Sequence, residues 1–222
     1  MTRLTLYAHP FSSYCQKALI ALYENETPFE LRQTGTPEVD AELEALWPMK
    51  LFPVLVDAGC DGGRTIFEAT GIIEHLALHH PGSVALIPAD PAVAVDVRMR
   101  DRFFDNYVMN PQARIIFDLL RPQESRDPYG VAQARTMLDT AYAWLEEQMA
   151  GRIWAAGEDF TLADCAAAPA LFYADWSHPI DPRFAHVHAY RARLLARPSF
   201  ARAVDEARPF RPFFPGGAPD RD

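Results

Sequence analysis

The apolar pattern of this chain changes character at Pro81-Gly82, and that change constrains the fold more than any composition figure. Before it, short apolar runs alternate with helical stretches, each closed by a turn residue. Residues 4–7 read as a strand stopped by Pro10, and residues 13–24 as a helix with Ala18, Ile20, Ala21 and Leu22 at helical spacing. Residues 29–32, 52–56 and 65–67 read as further strands, and 36–46 and 68–79 as helices. The order β-α-β-α-β-β-α predicts a small mixed sheet flanked by helices. Beyond the change, residues 92–120, 130–149, 162–176 and 183–196 all carry helical periodicity, with no convincing strand. The expectation is an α/β domain over residues 1–82, a linker over 83–91 broken by Pro88 and Pro91, and an all-α domain over 92–222. The tail from Pro209 is rich in Pro, Gly and Phe and reads as irregular, draped over the helices by Phe210, Phe213 and Phe214.

The 222 residues are 49% hydrophobic, enough to bury two cores. A net charge of −9 without a basic block argues against nucleic acid or an anionic membrane as the main partner. No apolar run approaches the ~20 residues that span a bilayer, and the first residues lack the pattern of a signal peptide. Cys15, Cys60 and Cys165 are too few and too widely spaced for a disulfide framework, so a cytoplasmic setting is expected.

Chemistry is concentrated at the first strand-to-helix turn, which carries Ser12-Ser13-Tyr14-Cys15. Redox proteins of the thioredoxin group hold Cys-x-x-Cys at such a turn; here the nucleophilic position is Ser12 and only Cys15 remains. A thiol brought by a ligand would explain the loss. Three further segments stand in order with this turn: Lys50-Leu51-Phe52-Pro53-Val54-Leu55, Phe67-Glu68-Ala69-Thr70, and the helix start Thr161-Leu162-Ala163-Asp164. In the last, Thr161 and Asp164 form a capping box that marks a buried helix, a structural role. Together these segments make the chain resemble a cytosolic glutathione transferase of a bacterial, serine-type, theta- or zeta-like branch over nearly its whole length. The resemblance implies a thioredoxin-like N-terminal domain that binds glutathione, a helical C-terminal domain that shapes a second-substrate pocket, and a homodimer.

On that resemblance Ser12 is the catalytic candidate, with Ser13 and Tyr7 as open alternatives; Tyr14 reads as a packing residue. A hydroxyl beside the glutathione sulfur, at a helix N-terminus, would favour the thiolate of a thiol whose ordinary pKa is ~8.5. Cys15, without a partner at position 12, reads as a small buried residue. Pro53 resembles the family's cis-proline, which implies that the main chain of Phe52 pairs with the cysteinyl unit of glutathione. Lys50 falls near the glycyl carboxylate and Glu68 near the γ-glutamyl group. Ala69 stands where the family commonly has serine, losing a hydroxyl contact that Thr70 is placed to replace only by turning around the helix. In the second pocket Tyr107 and Arg114 are the candidates, while Arg98, Arg100 and Asp101 are candidates for a dimer contact or a charged outer face. Glutathione is then a co-substrate, its partner a small hydrophobic electrophile, and the thiol chemistry needs no metal. The implied role is detoxification. A non-catalytic glutathione-binding scaffold and an omega-like thiol transferase are the competing readings.

Overall fold

The computed structural model describes residues 4–60 and 62–222. Strand β1 (Leu4–Ala8) buries Leu4, Leu6 and Ala8 and leaves Thr5 and Tyr7 half-covered, the alternation of a strand with one face on the core. With β2 (Glu30–Gln33), β3 (Val54–Asp57) and β4 (Arg64–Phe67) it forms a sheet of order β2-β1-β3-β4, in which β1 and β2 are parallel and β3 runs antiparallel to both neighbours. Helices α1 (Ser13–Glu24), α2 (Pro37–Leu46) and α3 (Ala69–His79) complete the expected thioredoxin-like unit. In the sheet register Tyr7 lies opposite Val54, and Val54 opposite Phe67. The end of β1, the start of β3 and the end of β4 therefore lie at one end of the sheet.

The remainder is helical: α4 (Pro91–Phe103), α5 (Asn110–Leu119), α6 (Pro128–Met149), α7 (Leu162–Ser177), α8 (Ala185–Leu195) and α9 (Pro198–Ala207). Residues 92–120 are not one regular helix, as the pattern suggests. A π-helical stretch, Phe104–Met109, separates α4 from α5, and the N–H of Asn110 reaches back five residues to the carbonyl of Asp105. Pro111 follows directly; it has no N–H to give and its ring crowds the preceding turn, which a widened turn relieves. Helix α9 is absent from the sequence-based expectation, although Phe200, Ala203, Val204 and Ala207 have i, i+3, i+4, i+7 spacing and are all buried. Pro198 occupies its first turn, where its missing N–H costs no helical hydrogen bond.

Helix α7 is buried from Leu162 to Trp176, and its alanines at 163, 166, 167, 168, 170 and 174 let neighbouring helices approach closely. Its capping box forms as expected: Asp164 accepts the Thr161 N–H at 2.9 Å and the Thr161 hydroxyl at 3.1 Å. The same carboxylate also takes the Ala155 N–H at 2.8 Å and the Tyr190 hydroxyl at 2.6 Å. Helix α1 joins the two units, with Glu24 bonded to Arg197 at 2.7 Å and Tyr23 to Glu206 at 2.6 Å. One continuous apolar core runs from Leu4 in the sheet to Phe214 in the tail. The tail is more ordered than expected, forming a 3-10 turn over Arg208–Phe213. Phe214 is buried, Phe210 packs edge-on against His9 at 4.6 Å, and Phe213 is exposed.

Candidate functional site

Three chain segments meet side by side at that end of the sheet. After β1 the chain turns through Pro10 into α1, whose N-cap is Ser12 in extended backbone conformation. Its Oγ accepts the N–H of Cys15 at 3.4 Å, satisfying one free donor of the first turn. The Ser12 hydroxyl proton is given to no acceptor among the described residues. Before β3 the Phe52–Pro53 peptide is cis, and neither backbone polar group of Phe52 has a protein partner among the described residues. After β4, Glu68 takes φ 62 and ψ 130, a strained conformation for a residue with a side chain. It carries the chain into α3, whose first turn has no side-chain cap. The leading N–H groups of α3 are thus unclaimed by any described residue, as at helix ends that bind anions. The exposed Glu68 carboxylate has no ion-pair or hydrogen-bond partner among the described residues.

Ser12, Phe52, Pro53, Glu68 and Ala69 wall a cleft of about 500 Å3, together with Tyr14, Trp47 and Leu51 from the sheet side. Arg102, Asp105, Asn106, Asn110 and Phe117 close it from the helical side. Trp47 stacks on Phe67 at 4.1 Å, which fixes that wall. A second, more apolar cavity of about 320 Å3 adjoins it, walled by Phe11, Ser13, Met109, Ile116, Leu120, Tyr173 and the tail residues Phe213 and Phe214. Ser12, Tyr14, Phe52 and Phe117 face both spaces. The arrangement suits a polar, peptide-like ligand in the larger cleft and an apolar one beside it, meeting at Ser12.

Several sequence candidates stand elsewhere. Tyr7 donates its hydroxyl to Glu42 at 3.0 Å, and burial together with that carboxylate pushes its pKa up. Ser13 reaches only the apolar cavity. Lys50 is exposed and pairs with Glu44 at 2.8 Å. Tyr107 and Arg114 line neither space; both are exposed, and Tyr107 packs on Phe103 at 5.8 Å. The walls take Asn106, Met109, Asn110, Gln112, Ala113, Ile116, Phe117 and Leu120 from this stretch, and neither candidate is among them. Cys15 is fully buried, and burial pushes its thiol up to about 12.

Other wall residues escape the sequence reading. Tyr14 lines both spaces and donates to Asn110 Oδ1 at 3.2 Å; burial first, then the nearby Asp105, raise its pKa to about 12. Behind the wall, the buried Lys17 ammonium meets Asp101 at 2.5 Å, Asp105 at 2.7 Å and the Thr70 hydroxyl at 2.9 Å. Arg102 joins the group, donating to Thr70 at 2.8 Å, to Asp101 at 3.0 Å and to Asp105. Thr70 itself donates to Asp101 at 2.9 Å, so its hydroxyl is saturated and does not stand in for the one absent at Ala69. Asp101 is likewise interior and belongs to no outer face, whereas Arg98 pairs at the surface with Glu74 at 2.5 Å. A lysine on the apolar stretch of α1 and two acids spaced i, i+4 near residue 100 are the sequence signal for this cluster.

Comparison with known proteins bears on this geometry. The family model for the glutathione S-transferase N-terminal domain matches residues 6–84, and that for the glutathione S-transferase C-terminal domain matches residues 128–193. Glutathione S-transferase GstB of Escherichia coli (strain K12) is 27% identical over 173 residues, covering 76% of this chain and 82% of that protein. FtsZ-localized protein A of Caulobacter vibrioides is 28% identical over 208 residues, covering 88% of each. A crystal structure of a glutathione S-transferase from Methylobacterium radiotolerans in complex with glutathione sulfonate superposes with a TM-score of 0.77 at 28% identity, covering 91% of this chain and 95% of that one.

Proposed function

Because the chain belongs to the cytosolic glutathione transferase superfamily, we propose that it binds glutathione in the larger cleft and activates the thiol at Ser12 for attack on an electrophile in the apolar cavity. The observation that carries this reading is the place of Ser12, at the wall common to both spaces, with a hydroxyl proton that no described residue accepts.

The γ-glutamyl carboxylate would lie against the free N–H groups that open α3, with the Glu68 carboxylate taking its amino group. The main chain of Phe52 would pair with the cysteinyl unit. The sulfur then sits by Ser12, where the hydroxyl donates to it and the N-terminus of α1 contributes partial positive charge; both favour thiolate over thiol. The thiolate's electron pair forms a carbon–sulfur bond to the electrophile. In substitution the leaving group departs with its bonding pair, and the thiol proton passes to solvent. Position and thiolate stabilisation supply the acceleration.

The test is conjugation of glutathione to chlorodinitrobenzene by Ser12→Ala and Ser12→Gly. Loss of a hydrogen bond to a charged sulfur, about 1.5–3 kcal/mol, lowers kcat/KM about 10–100-fold and moves the pH midpoint upward. Glycine keeps the helix cap within a few tenths of a kcal/mol, so matching losses in both variants assign the effect to the hydroxyl. Unchanged activity would remove Ser12 from the mechanism. A binding or scaffold role is the second reading, supported by Ala69 and by the similarity to FtsZ-localized protein A; tight glutathione binding by a parent without turnover would favour it. The buried, strongly protonated Cys15 weighs against omega-like thiol transfer. A homodimer in the cytoplasm belongs to the same proposal and is read out by sedimentation.

A further inference from the structure

At the far end of β3, three residues beyond the cleft-side Val54, a second polar cluster is built around Asp57. Its side chain is 1% exposed. Oδ2 lies 3.0 Å from His75 Nε2 and 2.6 Å from His80 Nε2, while Oδ1 accepts the Gly59 N–H at 2.8 Å. All three potential ligand atoms fall within 4.8 Å of one another. No lysine or arginine reaches this carboxylate among the described residues, so its partners are two imidazoles that carry charge only when protonated. None of the three residues lines the cleft or the apolar cavity.

Two imidazoles and one carboxylate are the donor set of zinc and its neighbours. The Gly59 N–H anchors one carboxylate oxygen and leaves the other to coordinate, the kind of support that orients metal ligands. His75 is held inside α3, whereas His80 ends that helix, is 27% exposed and borders a small cavity of about 130 Å3 at the start of the linker. An ion thus has a route in from the His80 side. Ligands at ~2.0–2.1 Å around a tetrahedral ion stand about 3.3 Å apart, so each imidazole nitrogen need draw back from Asp57 Oδ2 by less than about 1 Å. His80, at the helix end, is the residue free to make that step. We propose that Asp57, His75 and His80 form a site for a divalent transition metal of the zinc class, which ties β3, α3 and the head of the linker together. The two imidazoles and the carboxylate then leave a fourth position for water.

The experiment uses untagged full-length protein, stripped with a chelator and titrated with Co2+ as a visible-spectrum probe, then with Zn2+ in competition. One ion per chain, a d–d absorption band lost on adding Zn2+, and a higher melting temperature with Zn2+ are expected. His80→Asn weakens binding at least about tenfold, while glutathione affinity stays unchanged. His75→Gln does the same if it folds; His80→Asn decides the matter if it does not. No saturable binding below about 100 μM metal, or equal binding by His80→Asn and the parent, overturns the site. Binding lost only in Cys60→Ser overturns it too, since Cys60 and His79, 3.7 Å apart at the surface, would then be the ligands.

Discussion

Replacing Lys17 by methionine should cost this protein more stability than any exposed substitution, because the lysine neutralises a buried group shared by both halves of the molecule. Lys17 and Arg102 supply two positive charges and Asp101 and Asp105 two negative ones, so the cluster is neutral as built. Lys17, Asp101 and Asp105 are all buried. Methionine keeps the volume and removes one charge, leaving an uncompensated carboxylate in an interior where burial already raises Asp105. Breaking a buried pair in this way costs about 3–5 kcal/mol. For a chain of this length each kcal/mol moves Tm by about 2–4 °C, so a fall of roughly 6–20 °C is expected. Urea unfolding followed by tryptophan fluorescence gives the free energy, and a thermal melt gives the shift. The double variant Lys17→Met with Asp101→Asn restores neutrality and should recover about half of the loss or more. A single-variant cost below about 1 kcal/mol, or a double variant as unstable as the sum of both singles, would refute the charge argument. Since Asp105 and Arg102 also wall the cleft, Lys17→Met should weaken glutathione binding as well.

Other outcomes rest on single sites. Ala69→Ser adds a hydroxyl at the buried first position of α3 and should tighten glutathione binding about 2–10-fold by calorimetry; unchanged affinity would refute contact between the ligand and that position. With iodoacetamide near pH 8, the folded protein should be alkylated at Cys60 alone, because Cys15 and Cys165 are fully buried and burial lifts both thiols far above that pH; mass spectrometry showing rapid loss of Cys15 would contradict this. Asp175 is pushed up by burial but pulled further down by Arg221, the Ile180 N–H and Arg191, so its pKa lies below the ordinary 3.8. Its contribution is therefore complete above that pH and lost as pH falls through its own lower pKa, releasing Arg221 and the tail. Thermal melts of Asp175→Asn should show a flatter acid limb than the parent below about pH 4, with parallel curves from there to neutral pH.

Fold class is legible in the chain alone, since strand alternation before Pro81 and helical periodicity after it admit few other arrangements. So are the local devices: the Ser12 cap and the capping box of Thr161 and Asp164 depend on residues three apart, a range in which backbone geometry is set by neighbours. Helix α9 is legible in principle from the spacing of Phe200, Ala203, Val204 and Ala207, with Pro198 as a start signal. Direction, by contrast, is settled by packing. The π-helical turn before Pro111 and the seating of α4 and α5 against α7 set which row of residues faces the cleft, turning Tyr107 and Arg114 away and bringing Met109, Ile116 and Phe117 in. Tyr14 at the wall, Thr70 spent on Lys17, and His75 and His80 brought to Asp57 are pairings across 18 to 96 residues. Periodicity records which face of an element is apolar, but contacts between elements arise only when those faces close on one another.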